Sequence, residues 1–316
     1  MKRICLFAGY DQHGKIHDYV VYFLKELSAI SDIYYMADNI LSEEEKSKIK
    51  SYTMGVYGFN HEKYDFGSWQ ELIKIIGWKK LKEYDELILA NDSVFGPLYS
   101  IVDFFEKIEK DTEWEVIGIT EESDVKNNQV YNFLQSYFLV IKNHVFTQDY
   151  FQKFIQEIKQ YNEKSHVVFF GEISLSALFI QNKVNCKKVV KDLIDPFTMW
   201  KTIIQHKSPF IKKAKFINKS YYNKHESIYN YEKYVYNYTS YNPKLITNYI
   251  KDYINIEYFS KKRYLFKSIM LYLKYIRKRL FTINIKKYKK KVIIFGITII
   301  NNDIRKEIFK TINEGL

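Results

Sequence analysis

Two cysteines in 316 residues, Cys5 and Cys186, are too few for a disulfide framework. Neither sits in a Cys-x-x-Cys pair, so the sequence indicates neither a structural zinc nor a dithiol redox motif. There is no run of 18 uninterrupted apolar residues, and no spanning helix is expected. The apolar part of the opening segment, MKRICLFAGYDQHG, is too short for a signal-peptide core and has no small-residue cleavage site. A cytoplasmic protein is therefore expected. Phosphate-cradling glycine patterns are also missing. Gly9-Tyr10-Asp11-Gln12-His13-Gly14 lacks the GxGxxG spacing, and no GxxxxGK[ST] occurs, which disfavours a dinucleotide site or a P-loop NTPase. With no GxSxG elbow and no HExxH spacing, serine-hydrolase and zinc-hydrolase chemistry find no support. Neither NAD nor zinc is expected.

Acidic residues are missing from one tract. Between Lys261 and Lys291 there are 13 Lys or Arg and no Asp or Glu, while the rest of the chain carries 36 basic against 37 acidic residues. The formal +12 is thus a local property. Within the tract Leu265, Phe266, Ile269, Met270, Leu273, Ile276, Leu280 and Phe281 fall at helical spacing, and Lys267, Lys274, Arg277 and Lys278 lie off that stripe. A basic amphipathic segment over 261–291 predicts attachment to an anionic membrane surface. Two other readings stand beside it: a solvated helix packing its stripe on the main domain, or contacts to nucleic-acid phosphates. The near-neutral remainder and the apolar stripe fit a membrane better, and no nucleic-acid partner is expected.

What is present is enough apolar sequence, 47%, for a substantial core. Short apolar runs alternate with amphipathic stretches: strands over Lys2–Gly9, Asp32–Met36, Met54–Tyr57, Leu87–Ala90, Glu115–Ile119 and a long one over Phe133–Lys142. Helices are expected over His17–Ile30, Ser42–Tyr52, Trp69–Ile76, from Pro97 through Phe105, Gln148–Gln160 and Gly171–Gln181. This alternation predicts an α/β fold with an open, mainly parallel sheet flanked by helices. Beyond Pro196 the alternation fades into Tyr-, Asn- and Lys-rich sequence of helical character.

Three strings could carry chemistry. In ELILANDSVFGPL a buried-type run ends at Asn91-Asp92-Ser93, where ligands of parallel sheets bind. Asp92 could hold a divalent cation on a diphosphate or bond a ribose or sugar hydroxyl; the triplet could equally cap the next helix. In Tyr64-Asp65-Phe66-Gly67-Ser68-Trp69, a carboxylate, a glycine and aromatics could grip a sugar ring or base. The plain alternative is a helix start with Ser68 as cap and Phe66 and Trp69 as core. Gly171-Glu172-Ile173-Ser174-Leu175-Ser176 places Glu172 in a first helical turn, suited to a general base or simply to the positive helix end. Asp11, Asp38, Asp65 and Asp92 each follow a strand, so a parallel sheet brings them to one edge.

YDFGSW, NDSVFGPL, Gly118-Ile119-Thr120, Leu134–Ile141 (LQSYFLVI) and GEISLS, in this order and spacing, resemble the rhamnan synthesis protein F family of bacterial polysaccharide glycosyltransferases. The resemblance covers 2–216, including Ser208-Pro209-Phe210-Ile211-Lys212. It implies a GT-A-like transferase domain over 1–218; the remainder, 219–316, lies outside the resemblance and is expected from its own residues to be a Tyr- and Lys-rich helical appendage carrying the basic segment 261–291. The resemblance further implies transfer of a deoxyhexose, most often L-rhamnose from dTDP-L-rhamnose, to a hydroxyl of a growing O-antigen, capsule or rhamnan, with inversion. By the resemblance Asn91-Asp92-Ser93 stands in the place of a DxD-type donor motif, with one carboxylate rather than two, and Glu172 in the place of the catalytic base. Asp92 is then catalytic and the candidate ligand of a weakly held Mg²⁺ or Mn²⁺. Tyr10, Asp11, Asp38, Asp65, Phe66, Gly67, Trp69, Asn91 and Ser93 are assigned to the donor, Gln135 and Tyr137 to the acceptor. The expected partners are a nucleotide-sugar donor, a lipid-linked glycan and the inner face of the cell membrane. A non-catalytic assembly component of a polysaccharide complex is the alternative.

Overall fold

The computed structural model of the protein describes residues 1–126, 129–161, 163–192, 194–222, 224–253, 282–286, 289–294 and 297–299. The chain divides into two units, Met1–Ile254 and Asn255–Leu316. Strands of the first are β1 (Arg3–Gly9), β2 (Asp32–Ala37), β3 (Gly55–Gly58), β4 (Glu86–Asn91), β5 (Val94–Phe95), β6 (Val116–Gly118), β7 (Glu121–Lys126), β8 (Gln129–Leu134), β9 (Phe138–Lys142), β10 (Cys186–Lys188) and β11 (Ile211–Lys212). Seven of them form one sheet in the order β10-β6-β9-β4-β1-β2-β3. β9 runs antiparallel to both its neighbours, and every other pairing in the sheet is parallel. The expected open, mainly parallel α/β sheet is present.

The central strands β1 and β4 are buried along their whole length. Ile4, Leu6 and Ala8 join a cluster with Trp69 and Leu72 of the Tyr64–Ile76 helix. Phe7, pointing the other way, meets Phe23 of the Asp18–Ser28 helix at 5.2 Å between ring centroids. Helices thus cover both faces, which is why these strands read as continuous apolar runs rather than as alternation.

Two expected boundaries move. The helix over Trp69–Ile76 in fact begins at Tyr64. Asp38 supplies the start: its carboxylate accepts from the backbone N–H of His61 and Glu62 at 2.8 Å and of Tyr64 at 3.1 Å. The free N–H groups of the turn are satisfied from a distant strand end, a cap that local sequence does not show. The long strand over Phe133–Lys142 is two, β8 and β9, broken at Gln135–Tyr137 where the Ser136 N–H turns to Glu172.

Helices at Trp200–Gln205, Ala214–Ile217, Tyr231–Tyr238 and Lys244–Tyr253 belong to the first unit, which therefore runs past residue 218 to Ile254. In the second unit β12 (Thr282–Lys286), β13 (Lys289–Ile294) and β14 (Ile297–Ile299) form an antiparallel sheet. The appendage expected to be helical is thus strand over these residues, in keeping with their Ile, Val and Thr content. The apolar stripe from Leu265 to Phe281 lies outside the described residues. Among the described residues no helix is long and apolar enough to cross a membrane.

Candidate functional site

The chain leaves β1 for β2 and β3 on one side, then returns to place β4 on the other side of β1. Such a reversal opens a crevice at the carboxyl ends of the two strands. Here it is a cleft of about 1180 Å³. Its floor is stitched together by the residues that follow the strands. The Asp92 N–H donates to the Ala8 carbonyl at 3.1 Å, and the Tyr10 N–H donates to Asp92 Oδ2 at 3.2 Å. Asn91 Oδ1 accepts from the Ser93 N–H at 3.1 Å and its hydroxyl at 2.7 Å, while Asn91 Nδ2 donates to Asp65 Oδ2 at 2.8 Å. The triplet is not a cap for the next helix, Ile101–Glu109, because Ser100 fills that role through the Asp103 N–H.

One wall holds a pair of carboxylates joined by a serine. Ser136 donates from its N–H and its hydroxyl to Glu172 Oε1, at 2.7 and 2.6 Å. The same hydroxyl lies 3.2 Å from Asp65 Oδ2. One hydroxyl hydrogen serves one carboxylate at a time, so a protonated Asp65 would complete the set at low pH. Burial, with the Glu172 charge beside it, pushes the Asp65 carboxyl up to about 6. Glu172 does not open a helix as expected. The helical path starts at Lys164, widens into a π segment over Val168–Ile173 and continues over Ser174–Gln181. Charge complementarity with a helix end is thereby ruled out as the reason for Glu172. π segments occur mainly as single-turn bulges and frequently at functional sites.

Two lysines, to which the sequence reading gave no role although Lys212 ends its Ser208–Lys212 string, also line the cleft. Strand β11 pairs antiparallel with β5, setting Lys212 opposite Val94. Lys212 is 8% exposed, its Nζ 4.2 Å from the Tyr137 ring centre. The Lys213 N–H donates to the Ser93 carbonyl at 2.9 Å, and its Nζ lies 2.8 Å from the Tyr19 hydroxyl and 3.7 Å from Asp92 Oδ2. A divalent cation at Asp92 fits this arrangement poorly. Among the described residues no three His, Cys, Asp or Glu side chains gather to hold one. Asp92 Oδ2 already faces an N–H and an ammonium, and Asn91 Oδ1 is occupied by Ser93.

Of the residues expected to hold the donor, Tyr10, Asp38, Asp65, Phe66, Asn91, Asp92 and Ser93 line the cleft. Asp38 does so while its oxygens hold the 61–64 turn. Asp11, Gly67 and Trp69 do not line it. Asp11 binds the N–H groups of His13 and Lys15 and the His17 ring. Trp69 is fully buried and donates to the Ala90 carbonyl at 3.2 Å, pinning its helix to β4. Gly67 is required by packing, since a Cβ there would stand 2.1 Å from Lys63 Cβ. Nor is Ser68 a cap: its hydroxyl meets the His61 ring at 3.0 Å. Gln135 lines the cleft but is 1% exposed, held by Thr120 and Glu122; Tyr137 is 2% exposed, hydrogen-bonded to Thr120 and absent from the wall.

No curated protein sequence matches the chain. Several solved structures show a partial likeness to it. A glycosyltransferase, GlyE, of Streptococcus pneumoniae TIGR4 is 13% identical, with a TM-score of 0.42, over 79% of this chain and 63% of that one. The mannosyltransferase Ktr4p of S. cerevisiae is 10% identical, TM-score 0.33, over 55% and 65%. A nucleotide-diphospho-sugar transferase of Desulfovibrio desulfuricans G20, described as putative, is 11% identical, TM-score 0.34, over 78% and 97%. The chain thus spans less than two thirds of the first two. The assignment comes from a family model, which runs through both units, from residue 33 to residue 314. The chain belongs to the rhamnan synthesis protein F family.

Proposed function

We propose that this chain is a glycosyltransferase of cell-surface polysaccharide synthesis. It moves a deoxyhexose, L-rhamnose from dTDP-L-rhamnose, to a hydroxyl of a growing glycan with inversion. The observation that carries the reading is one cleft lined by both a held carboxylate, Glu172, and two lysines, Lys212 and Lys213. Glycosyl transfer needs that division. The acceptor oxygen bonds to the anomeric carbon as the bond from that carbon to the diphosphate breaks. The acceptor proton must go to a base, and the diphosphate leaves with the electron pair.

Glu172 is the base in this reading. Both Ser136 donors fall on Oε1, which orients the carboxylate and leaves Oε2 for the acceptor proton. Asp65, held by Asn91, is placed to bond a sugar hydroxyl, with Phe66 behind it. Lys212 and Lys213 meet the diphosphate, and the backbone after β1 and β4 receives the nucleotide. No step is assigned to a metal ion.

The acceptor is a lipid-linked glycan at the inner face of the membrane, approached through the basic tract over 261–291. The direct test is incubation of the full chain with dTDP-L-rhamnose, UDP-sugars and GDP-sugars, with thermal stabilisation and release of nucleoside diphosphate as readouts. Stabilisation and turnover with dTDP-L-rhamnose are expected. Neither effect with any nucleotide sugar would leave a non-catalytic assembly component as the better reading.

A further inference from the structure

We infer that Lys213 is the resident cation of the donor-phosphate site and that the chain binds a nucleoside diphosphate without a divalent metal. The inference rests on the glycosyltransferase reading. It begins from the charge that such a leaving group brings: a diphosphate needs positive charge at the point where its bond breaks. Among the described residues lining the cleft, Lys212 and Lys213 are the cationic side chains, with no arginine or histidine.

Lys213 is built into the loop that would otherwise hold a metal. Its N–H is bonded to the Ser93 carbonyl, one residue beyond Asp92. Strand β11, just before it, is paired with β5, just after that loop. The ammonium donates to the Tyr19 hydroxyl, which in turn donates to the Asp92 carbonyl at 3.0 Å. Tyr19 is 1% exposed, and burial together with the Asp92 charge pushes its hydroxyl well up, so it stays neutral and able to donate. The centre of the Tyr249 ring lies 5.0 Å from Nζ, within reach of a cation–π contact. The Lys213 side chain is 12% exposed, so its position is set by these contacts rather than by solvent.

A divalent ion bound at Asp92 would lie within a few ångströms of this ammonium and repel it. An ammonium beside the carboxylate supplies positive charge to a phosphate oxygen, and Asp92 keeps it in place. Asp92 then acts as a positioning residue for Lys213 rather than as a metal ligand.

The test measures binding of dTDP and UDP to the full chain by calorimetry, in EDTA and again in Mg²⁺. Affinities for the nucleotide that binds are expected to agree within about threefold. Lys213→Met should weaken the diphosphate at least tenfold while leaving binding of thymidine or uridine unchanged, and Lys213→Arg should restore most of the loss. Melting of each variant without nucleotide checks its fold, and the EDTA comparison on the native chain stands if the variant is unstable. Diphosphate binding that disappears in EDTA and returns with Mg²⁺ would overturn the inference and leave the glycosyltransferase reading intact. So would a Lys213→Met variant that binds diphosphate as the native chain does. If no nucleoside diphosphate binds with or without Mg²⁺, the functional reading fails and the inference falls with it.

Discussion

Gly171 lies so close to Phe66 that a Cβ on it would stand 2.6 Å from Phe66 Cε2. Through this contact the helix bearing Asp65 and the π segment bearing Glu172 are locked together. Phe66 cannot easily retreat, because it is 2% exposed and packs edge-on against Trp69 and Phe154. Gly171→Ala should therefore cost about 1–3 kcal/mol of stability, as overpacking of a filled core does. Turnover should fall further than the stability loss explains, because the turn that moves carries Glu172. Thermal melting and kcat measured together check this. A variant with native melting and native kcat would show that Glu172 does not depend on the contact.

The same contact explains what the sequence could and could not say. Hydrophobic run length, punctuated by Asn91-Asp92-Ser93, was enough to place β4 and the polar edge beyond it. Local patterns failed where a distant residue finishes the geometry. Asp38 starts a helix 26 positions further on, and Ser136 breaks a strand by turning its N–H to Glu172, 36 positions away. Lys213 showed no signal, since the second of two lysines after an apolar pair looks like any surface lysine until β11 docks on β5. Asp11 and Trp69 were misleading for the opposite reason. Their residue types suit a ligand, and the folded chain uses them for its own loops and core.

Glu172→Gln keeps the shape and the acceptor oxygen that Ser136 needs, and removes the ability to take a proton. Turnover should fall on the order of 10²-fold or more, with the Kd of the nucleotide sugar nearly unchanged. Stopped assays for kcat and calorimetry for Kd separate the two effects. Near-native turnover would remove Glu172 from the chemistry.

Membrane attachment is the prediction that the charge of the basic tract carries; residues 261–281 of that tract lie outside the described ones. The full chain should sediment with vesicles containing anionic lipid and not with neutral ones. Each Lys or Arg near the surface contributes about 1 kcal/mol, and the Debye length shrinks from about 10 Å at 0.1 M salt to about 3 Å at 1 M. Replacing Lys267, Lys274, Arg277 and Lys278 by Gln should weaken binding to anionic vesicles strongly at low salt and little at high salt. Equal sedimentation with neutral vesicles would rule out an electrostatic anchor.

Asp65 should leave a signature in the pH dependence of folding. Its carboxyl is raised from 3.8 to about 6, chiefly by burial and then by the charge of Glu172. Between those values the folded protein keeps a proton that the unfolded chain has released. The stabilisation from this group is therefore complete below about pH 4 and is lost as pH rises through 6. At about 1.4 kcal/mol per unit the loss is on the order of 2–3 kcal/mol. Asp65→Asn removes the titration and keeps an oxygen for Asn91. The stability of that variant relative to the native chain should thus improve between pH 4 and pH 7.5, as read by urea unfolding at both. Groups shared by the two proteins drop out of the difference, except Glu172, which is coupled to Asp65. In a Glu172→Gln background the improvement should therefore shrink without vanishing, because burial remains. A difference flat with pH in both backgrounds would mean that Asp65 ionises as an ordinary exposed carboxylate.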